Sequence, residues 1–358
     1  MDASAPRFGQ HRNHDCRLRK IVWRGRRCVS IENETVRMLI CADKGADILK
    51  LTHKPSDTEM LHQAPAGLPS SHYAQSSPLA AGSFRDLFPG GWYLMLPNGP
   101  VPCTHRGAEH GQHGEATFLA WDVVVDEDRA ERVTITFHTR LRRTPLSVER
   151  RFTVERHSGT ITLDECVTSE AAHAIEILWG QHPTFGAPLI EAGTRIDLPA
   201  GARWSTGADP ACSGSWPVGE EPANDLGRVP DEGVDLHDFT RVSELSAGWF
   251  AVSNERRGAG IALRWDETLF PVLGVWRMLG GEGNYPWYGA RRMIALEPAC
   301  DLPSLAQAAS RGTAIVLAPG QTAAARWEVT LFTPRGTVTD LGWGGAIRFE
   351  GEGGGDAA

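Results

Sequence analysis

Apolar side chains in this chain recur at every second position. In Val133-Thr-Ile-Thr-Phe-His-Thr-Arg-Leu141 the alternation is nearly unbroken, as in a strand with one buried face, because successive side chains on a pleated backbone point to opposite sides. Leu146-Ser-Val148 and Phe152-Thr-Val154 continue the pattern, His157-Ser-Gly159 supplies a turn, and Ile161-Thr-Leu163 leads back toward Val167. That order predicts a hairpin. Val36-Arg-Met-Leu-Ile40 and Ile48-Leu-Lys-Leu51 read as two more strands around the turn at Lys44-Gly-Ala46, and Trp327, Val329 and Leu331 alternate near the end. Helix signals are few. The strongest covers Pro303 to Ser310, with Asp301 as its cap, Pro303 in the first turn and Gly312 beyond its end. The 39 glycines and 23 prolines punctuate the chain often, which suits many strands joined by turns and long loops.

These patterns predict an all-β fold. Two stretches, residues 65–114 and 203–235, read as unusually long loops, and long loops in a compact fold are usually functional or mobile. Strand-like pattern resumes on both sides of each, so neither reads as a linker between domains. The expected organisation is an N-terminal extension over 1–27, one large domain over 28–335, and a C-terminal segment over 336–358 ending in a disordered glycine-rich tail.

A hydrophobic fraction of 41% with 22% charged residues describes a chain able to bury a substantial core. The formal net charge of −8, without a basic block, argues against nucleic acid as the main partner. Seven cysteines at scattered positions, without a C-x-x-C pair, suggest reduced thiols rather than a disulfide framework or a zinc knuckle. The first residues lack a signal-peptide pattern, and no apolar run approaches a membrane span. The expectation is a cytoplasmic protein without a membrane partner. Its oligomeric state is not legible.

The candidate chemistry rests on three separated residues: His113 in Gly111-Gln-His-Gly114, His182 in Trp179-Gly-Gln-His-Pro-Thr-Phe-Gly186, and Glu297 in Ala295-Leu-Glu-Pro298. Each sits beside Gly or Pro, where a strand tends to end and a side chain can project from the rim of a sheet. Two imidazoles and a carboxylate can supply an acid and a base to one small substrate, and histidine titrates near neutral pH. Trp179 and Trp276 lie among the aromatic residues near these motifs, and their flat faces suit the C–H face of a pyranose ring. Arg85, Asp86, Asn98 and Gln181 are the nearby polar candidates for substrate binding.

The order of these motifs resembles that of the aldose 1-epimerase (galactose mutarotase-like) superfamily. The similarity runs through Gly45-Ala46, Phe88-Pro-Gly-Gly91, Pro97-Asn-Gly99, Gln112-His-Gly114 with Ala120-Trp-Asp-Val123, His182-Pro-Thr-Phe185, Leu296-Glu-Pro298 and Leu317-Ala-Pro-Gly320. It covers roughly residues 28–335, although each motif alone is weak. The resemblance implies a large antiparallel β-sandwich acting on a monosaccharide or a derivative of one. Glu297 would be the general base at the anomeric hydroxyl, His182 the general acid at the ring oxygen, and His113 a residue that orients the sugar. No metal or cofactor is implied.

The chain departs from the family pattern in three places. Phe84-Arg-Asp-Leu-Phe-Pro-Gly-Gly91 replaces the usual Arg-Gly-Gly-Ile-Pro, leaving Arg85 as the counterpart of the family arginine. Asp238 and Asp266 are the candidates for the sugar-binding aspartate, and Trp179-Gly-Gln181 is unlike the best-known members. Arg85 or Arg277 could instead contact a phosphate, sulfonate or carboxylate. Two other functions compete. One is a non-catalytic carbohydrate-binding or sensing protein. The other is a metal-dependent sugar isomerase, with His105, His110 and His113 in an H-x4-H-x2-H spacing.

Overall fold

The computed structural model describes residues 12–70, 84–206, 212–219, 225–289 and 291–352. Parts of the two stretches read as long loops, and the glycine-rich tail from Gly353 onward, lie outside the described residues. Where described, the stretches are not continuous loops, since they contain the strands Trp92–Met95, Cys103–His105, Ala108–His110, Arg203–Ser205 and Ser213–Ser215. Two large antiparallel sheets dominate. The first has twelve strands. In hydrogen-bonded order they are Arg17–Trp23, Arg26–Glu32, Val36–Cys41, Asp47–His53, Trp92–Met95, Gly180–Gly186, Arg292–Ala299, Val272–Leu279, Leu236–Ser243, Arg203–Ser205 and Ser213–Ser215, with Thr58–Glu59 added onto Asp47–His53. The second has eight, in the order Arg195–Asp197, Gly248–Asn254, Ala259–Trp265, Thr322–Phe332, Thr160–Ser169, Leu146–Glu155, Arg132–Arg140 and Asp122–Asp128. The predicted all-β sandwich is present.

The alternation read from the sequence sets which side chains meet. Ile40, Leu94, Leu273 and Leu296 of the first sheet join Phe137, Phe152, Leu163 and Trp327 of the second in one core. Their neighbours point the other way, so each sheet has a second face with its own cluster. On the outer face of the first sheet, Tyr93, Met95, Val272, Met278, Met293 and Ala299 pack with Phe84, Phe88 and Leu302. On the outer face of the second, Trp249, Ala251 and Phe332 are covered by Val338, Leu341 and Phe349. Those three belong to the C-terminal hairpin Val338–Leu341 and Ile347–Phe349. The predicted hairpin around His157 forms, pairing Leu146–Glu155 with Thr160–Ser169 in a nine-residue register.

The structure differs from the sequence reading at the helix and the N-terminus. The helix spans Leu305–Arg311, and its cap is Ser304, whose hydroxyl accepts from the Gln307 amide. Pro303 therefore precedes the cap instead of lying in the first turn. Asp301 serves a different purpose: its buried carboxylate accepts from Arg241, Arg311, Thr313 and the Leu302 amide. Part of the expected N-terminal extension is a strand, Arg17–Trp23, paired along its whole length with Arg26–Glu32.

A polar network crosses the core behind the strand Gly180–Gly186. Arg150 and Glu165 form an ion pair at 2.7 Å with side chains 0% and 1% exposed. Glu165 also accepts from Gln181 at 2.7 Å, Trp327 at 3.0 Å and Trp179 at 3.3 Å. Gln181 in turn accepts from Trp92 at 2.9 Å, and Arg150 donates to the Ala46 carbonyl at 2.8 Å. Buried polar groups that satisfy one another in this way fix the elements they join.

Candidate active site

The site is built on one row of side chains running across the outer face of the first sheet. Tyr93 is the cross-strand partner of His182. The pairs Gly180↔Ala299 and Thr184↔Ala295 place His182 opposite Glu297, and Glu297 is opposite Gly274. Side chains directly opposite in an antiparallel pair have Cβ atoms about 5 Å apart. The imidazole and the carboxylate therefore meet: His182 Nε2 lies 3.0 Å from Glu297 Oε1, with both side chains buried. Gly274 presents no side chain of its own beside Glu297, and the space it leaves is taken by Phe239 and Leu302, which a Cβ there would meet at 2.9 and 3.0 Å.

Both imidazole nitrogens of His182 have partners. Nδ1 lies 3.1 Å from the hydroxyl of Thr184, two residues along on the same face. A hydroxyl can donate or accept, so this contact is compatible with either protonation state of the ring. The Tyr93 ring stacks on the imidazole with centroids 4.4 Å apart and planes 20° apart. Trp276, two residues from Gly274 on the same strand and face, has its ring 6.4 Å from that of His182.

His113 reaches the row from a loop. Its ring stands edge-on to His182 at 4.9 Å and to Tyr93 at 5.2 Å. The backbone at His113 is left-handed, with φ 62°, a conformation costing non-glycine residues of order 1 kcal/mol or more that persists only where surroundings enforce it. Here the His113 amide donates to the Gly99 carbonyl at 2.7 Å and its carbonyl accepts from Leu96. The next residue, Gly114, also has a positive φ, and a Cβ there would lie 2.2 Å from the Leu96 carbonyl oxygen. Burial, followed by the positive charges of His182 and Arg85, pushes His113 well below the usual imidazole range. It is therefore neutral at physiological pH.

Four buried polar atoms in this neighbourhood have no hydrogen-bond partner among the described residues: Tyr93 Oη, His113 Nδ1, Glu297 Oε2 and Oε1 of Gln112, whose Nε2 lies 3.3 Å from His113 Nε2. Leaving such atoms unsatisfied costs about 1–3 kcal/mol each. Their concentration around one ion pair marks a place where a polar ligand would supply the missing bonds. Aromatic rings surround it. Phe84 lies 4.6 Å from His113 and 5.0 Å from Tyr93, while Trp287 bridges Phe88 at 5.8 Å and Trp276 at 5.6 Å.

The residues singled out from the sequence divide into two groups. His182, Glu297, His113 and Trp276 come together. Arg85 and Asp86 stand exposed on the helical residues 84–86, where Asp86 accepts from the Tyr285 hydroxyl at 2.6 Å. Among the described residues Arg85 has no ion-pair partner. Gln181, Trp179 and Asn98, expected to bind substrate, do not line the site. Gln181 and Trp179 are 0% exposed and belong to the polar network in the core, because neighbours along a strand face opposite sides. Asn98 is equally buried, and its amide donates to the Val101 and Gly111 carbonyls at 2.9 Å while its oxygen accepts from Leu305. It secures the loop that carries His113.

Arg277 and Asp238 are likewise occupied with each other, in a bidentate pair at 3.0 and 2.5 Å on the opposite face from Trp276. Asp266 binds the amide and hydroxyl of Thr268 within its own turn. His105 pairs with Glu176 at 3.2 Å. Among the described residues no group of three or more His, Cys, Asp or Glu is placed to hold a metal ion. The sequence reading missed the role of Tyr93 and Thr184. Thr184 lies two residues from His182 on the same strand, and that spacing was the available signal; Tyr93 is joined to His182 only through strand register.

The structure thus places a buried His–Glu pair on the outer face of one sheet of a large antiparallel sandwich. The chain belongs to the DUF4432 family, described as a domain of unknown function, whose model matches residues 23–331. No curated protein matches the sequence. Among solved structures, a provisionally named aldose 1-epimerase from Klebsiella pneumoniae subsp. pneumoniae superposes with a TM-score of 0.69 at 16% identity, covering 89% of this chain and 83% of that one. A galactose mutarotase-like protein from Clostridium acetobutylicum gives 0.61 at 13% identity, covering 89% and 99%. A TPR-domain containing protein from Parabacteroides distasonis gives 0.58 at 14% identity, and this chain spans only 48% of its length. The fold is thus the galactose mutarotase-like sandwich that the sequence resemblance implied. No helix among the described residues is long and apolar enough to cross a membrane.

Proposed function

We propose that the protein is an acid–base isomerase acting at the anomeric carbon of a monosaccharide or a derivative of one. The observation that carries this reading is the His182–Glu297 contact, with the second carboxylate oxygen left unpartnered. An acid and a base this close together suit two oxygens borne by the same carbon, and the anomeric carbon of a cyclic sugar bears two. Glu297 accepts the proton of the anomeric hydroxyl, the bond from the anomeric carbon to the ring oxygen breaks, and His182 delivers a proton to that oxygen. The product is the open-chain aldehyde. Rotation about the adjacent carbon–carbon bond and reclosure, with the two roles reversed, give the other anomer and restore both groups. The sequence needs no metal or redox partner.

His113, held neutral, orients the substrate by a hydrogen bond from or to Nδ1. Trp276 offers a flat apolar surface beside the pair, and Arg85, exposed and without an ion-pair partner among the described residues, acts by its charge on His113. The solved structures named aldose 1-epimerase or mutarotase-like support the scaffold for this chemistry at low identity.

The test is exchange between anomers, followed by NMR saturation transfer over neutral, acidic and phosphorylated sugars, with and without a chelator. Acceleration that survives chelation and is lost in Glu297→Gln is expected. Binding without acceleration for every sugar would replace this reading with a carbohydrate sensor, and chelator-sensitive acceleration would replace it with a metal-dependent isomerase.

A further inference from the structure

The proposed proton transfer leaves one buried polar group of the row unused. Tyr93 is 1% exposed, it is the register partner of His182, and its ring lies flat against the imidazole. Its hydroxyl has no hydrogen-bond partner among the described residues. Phenylalanine would fill the same space and stack equally well without stranding a polar atom, so packing alone gives no reason for the oxygen. Burial, with the negative charges of Glu297 and Asp47 nearby, raises the phenol well above its usual range. The hydroxyl therefore keeps its proton at neutral pH and remains a donor.

Its place in the row decides what it donates to. The order across three adjacent strands is Tyr93, His182, Glu297, so Tyr93 flanks the imidazole on the side away from the carboxylate. A substrate that puts its anomeric hydroxyl at Glu297 and its ring oxygen at His182 brings the ring oxygen toward Tyr93. His113 closes the corner, edge-on to both rings.

We propose that Tyr93 is a further catalytic residue, whose hydroxyl donates a hydrogen bond to the ring oxygen as its bond to the anomeric carbon breaks. This rests on the anomeric reading given above. Tyr93 transfers no proton. It stabilises the negative charge that builds on the leaving oxygen before His182 protonates it, and it returns unchanged on reclosure. A fixed donor of this kind acts more strongly in the transition state than on the bound sugar, and therefore on kcat more than on KM.

Tyr93→Phe tests this directly, with Glu297→Gln assayed in parallel. Expected is a fall in kcat of about 100-fold, the size typical of one donor to a developing oxyanion, with KM changed little. The variant's Tm should be unchanged or higher, because no intramolecular bond is lost. A drop in Tm of several degrees would show a structural bond and overturn the proposal. Wild-type kcat in Tyr93→Phe, with Glu297→Gln inactive, would overturn this inference alone and leave the proposed reaction standing.

A readout independent of turnover separates the remaining cases. With tyrosine labelled at the ring carbon bearing oxygen, the signal missing from Tyr93→Phe should shift when sugar is added. A shift without turnover of any sugar would reject the proposed reaction, and with it the catalytic role, while keeping Tyr93 as a contact to sugar. Neither shift nor turnover would reject both.

Discussion

His182 faces Glu297 across two strands, and each of the two is followed by a proline, Pro183 and Pro298. Proline has no N–H to give to a ladder. The strand pairing accordingly stops after Gly180↔Ala299 and resumes at Thr184↔Ala295. Side chains make the cross-strand connection where the backbone makes fewer. The sheet continues on either side, so the pair is held at fixed spacing by regular structure rather than by a loop, which favours precise placement of reacting groups.

Glu297→Gln and His182→Asn should each lower anomer exchange by about 100- to 10,000-fold, the contribution usual for a positioned acid or base. Both replacements approximate the original shape, so circular dichroism should be unaltered. Exchange at the wild-type rate in either variant would remove that residue from the proposed mechanism.

His62 makes stability depend on pH. It is 7% exposed, and burial, together with the charge of Arg291, lowers it from 6.5 to about 4. The folded protein then holds fewer protons than the unfolded chain between those values, and the contribution, full above about pH 6.5, is lost as pH falls toward 4. The whole shift corresponds to about 3 kcal/mol. Denaturant titrations from pH 4 to 7 should show stability rising with pH, and His62→Gln should flatten that slope. An unchanged slope would mean that the ring takes up its proton in the folded state.

The Arg150–Glu165 pair predicts a thermodynamic cycle. Removing one partner of a buried ion pair typically costs about 3–5 kcal/mol, because the other charge is stranded. Arg150→Met should cost that much, and Arg150→Met with Glu165→Gln should recover part of it, since Gln can still serve the Trp and Gln181 donors. Equal losses in the single and double variants, measured by urea unfolding, would show that the charge on Glu165 is not what the arginine offsets.

Asn98→Ala should cost about 2–4 kcal/mol through several lost buried bonds. It should also lower activity, because the Gly111 carbonyl next to the His113 turn loses its partner. Full activity with reduced stability would separate the loop's anchoring from the placement of His113.

Much of the fold was legible because alternation is a local property. Strands read at Val36, Ile48, Val133, Ile161 and Trp327 all lie within observed strands. The site was legible only in part. His113, His182 and Glu297 stood out by their glycine and proline neighbours, yet Trp179, Gln181 and Asn98 were grouped with them by nearness along the chain. In a strand the adjacent residue is the one that points away. Tyr93 was visible only as one aromatic among several, because its importance comes from pairing with a residue 89 positions later. The cap at Ser304 was missed because Asp301 is an equally good capping residue by type, and three long-range donors hold it elsewhere.

The strand Gly180–Gly186 thus works by parity. Its even residues His182 and Thr184 belong to chemistry, while odd Gln181 and Phe185 belong to the interior. A slip of one residue would present an amide to the substrate and bury an imidazole against Glu165. No substitution is needed to destroy such a site, only an insertion or deletion of one residue between the core contacts and the histidine. The network around Glu165 guards against that error: by binding Gln181, it counts the strand from behind and sets the frame in which His182 is read.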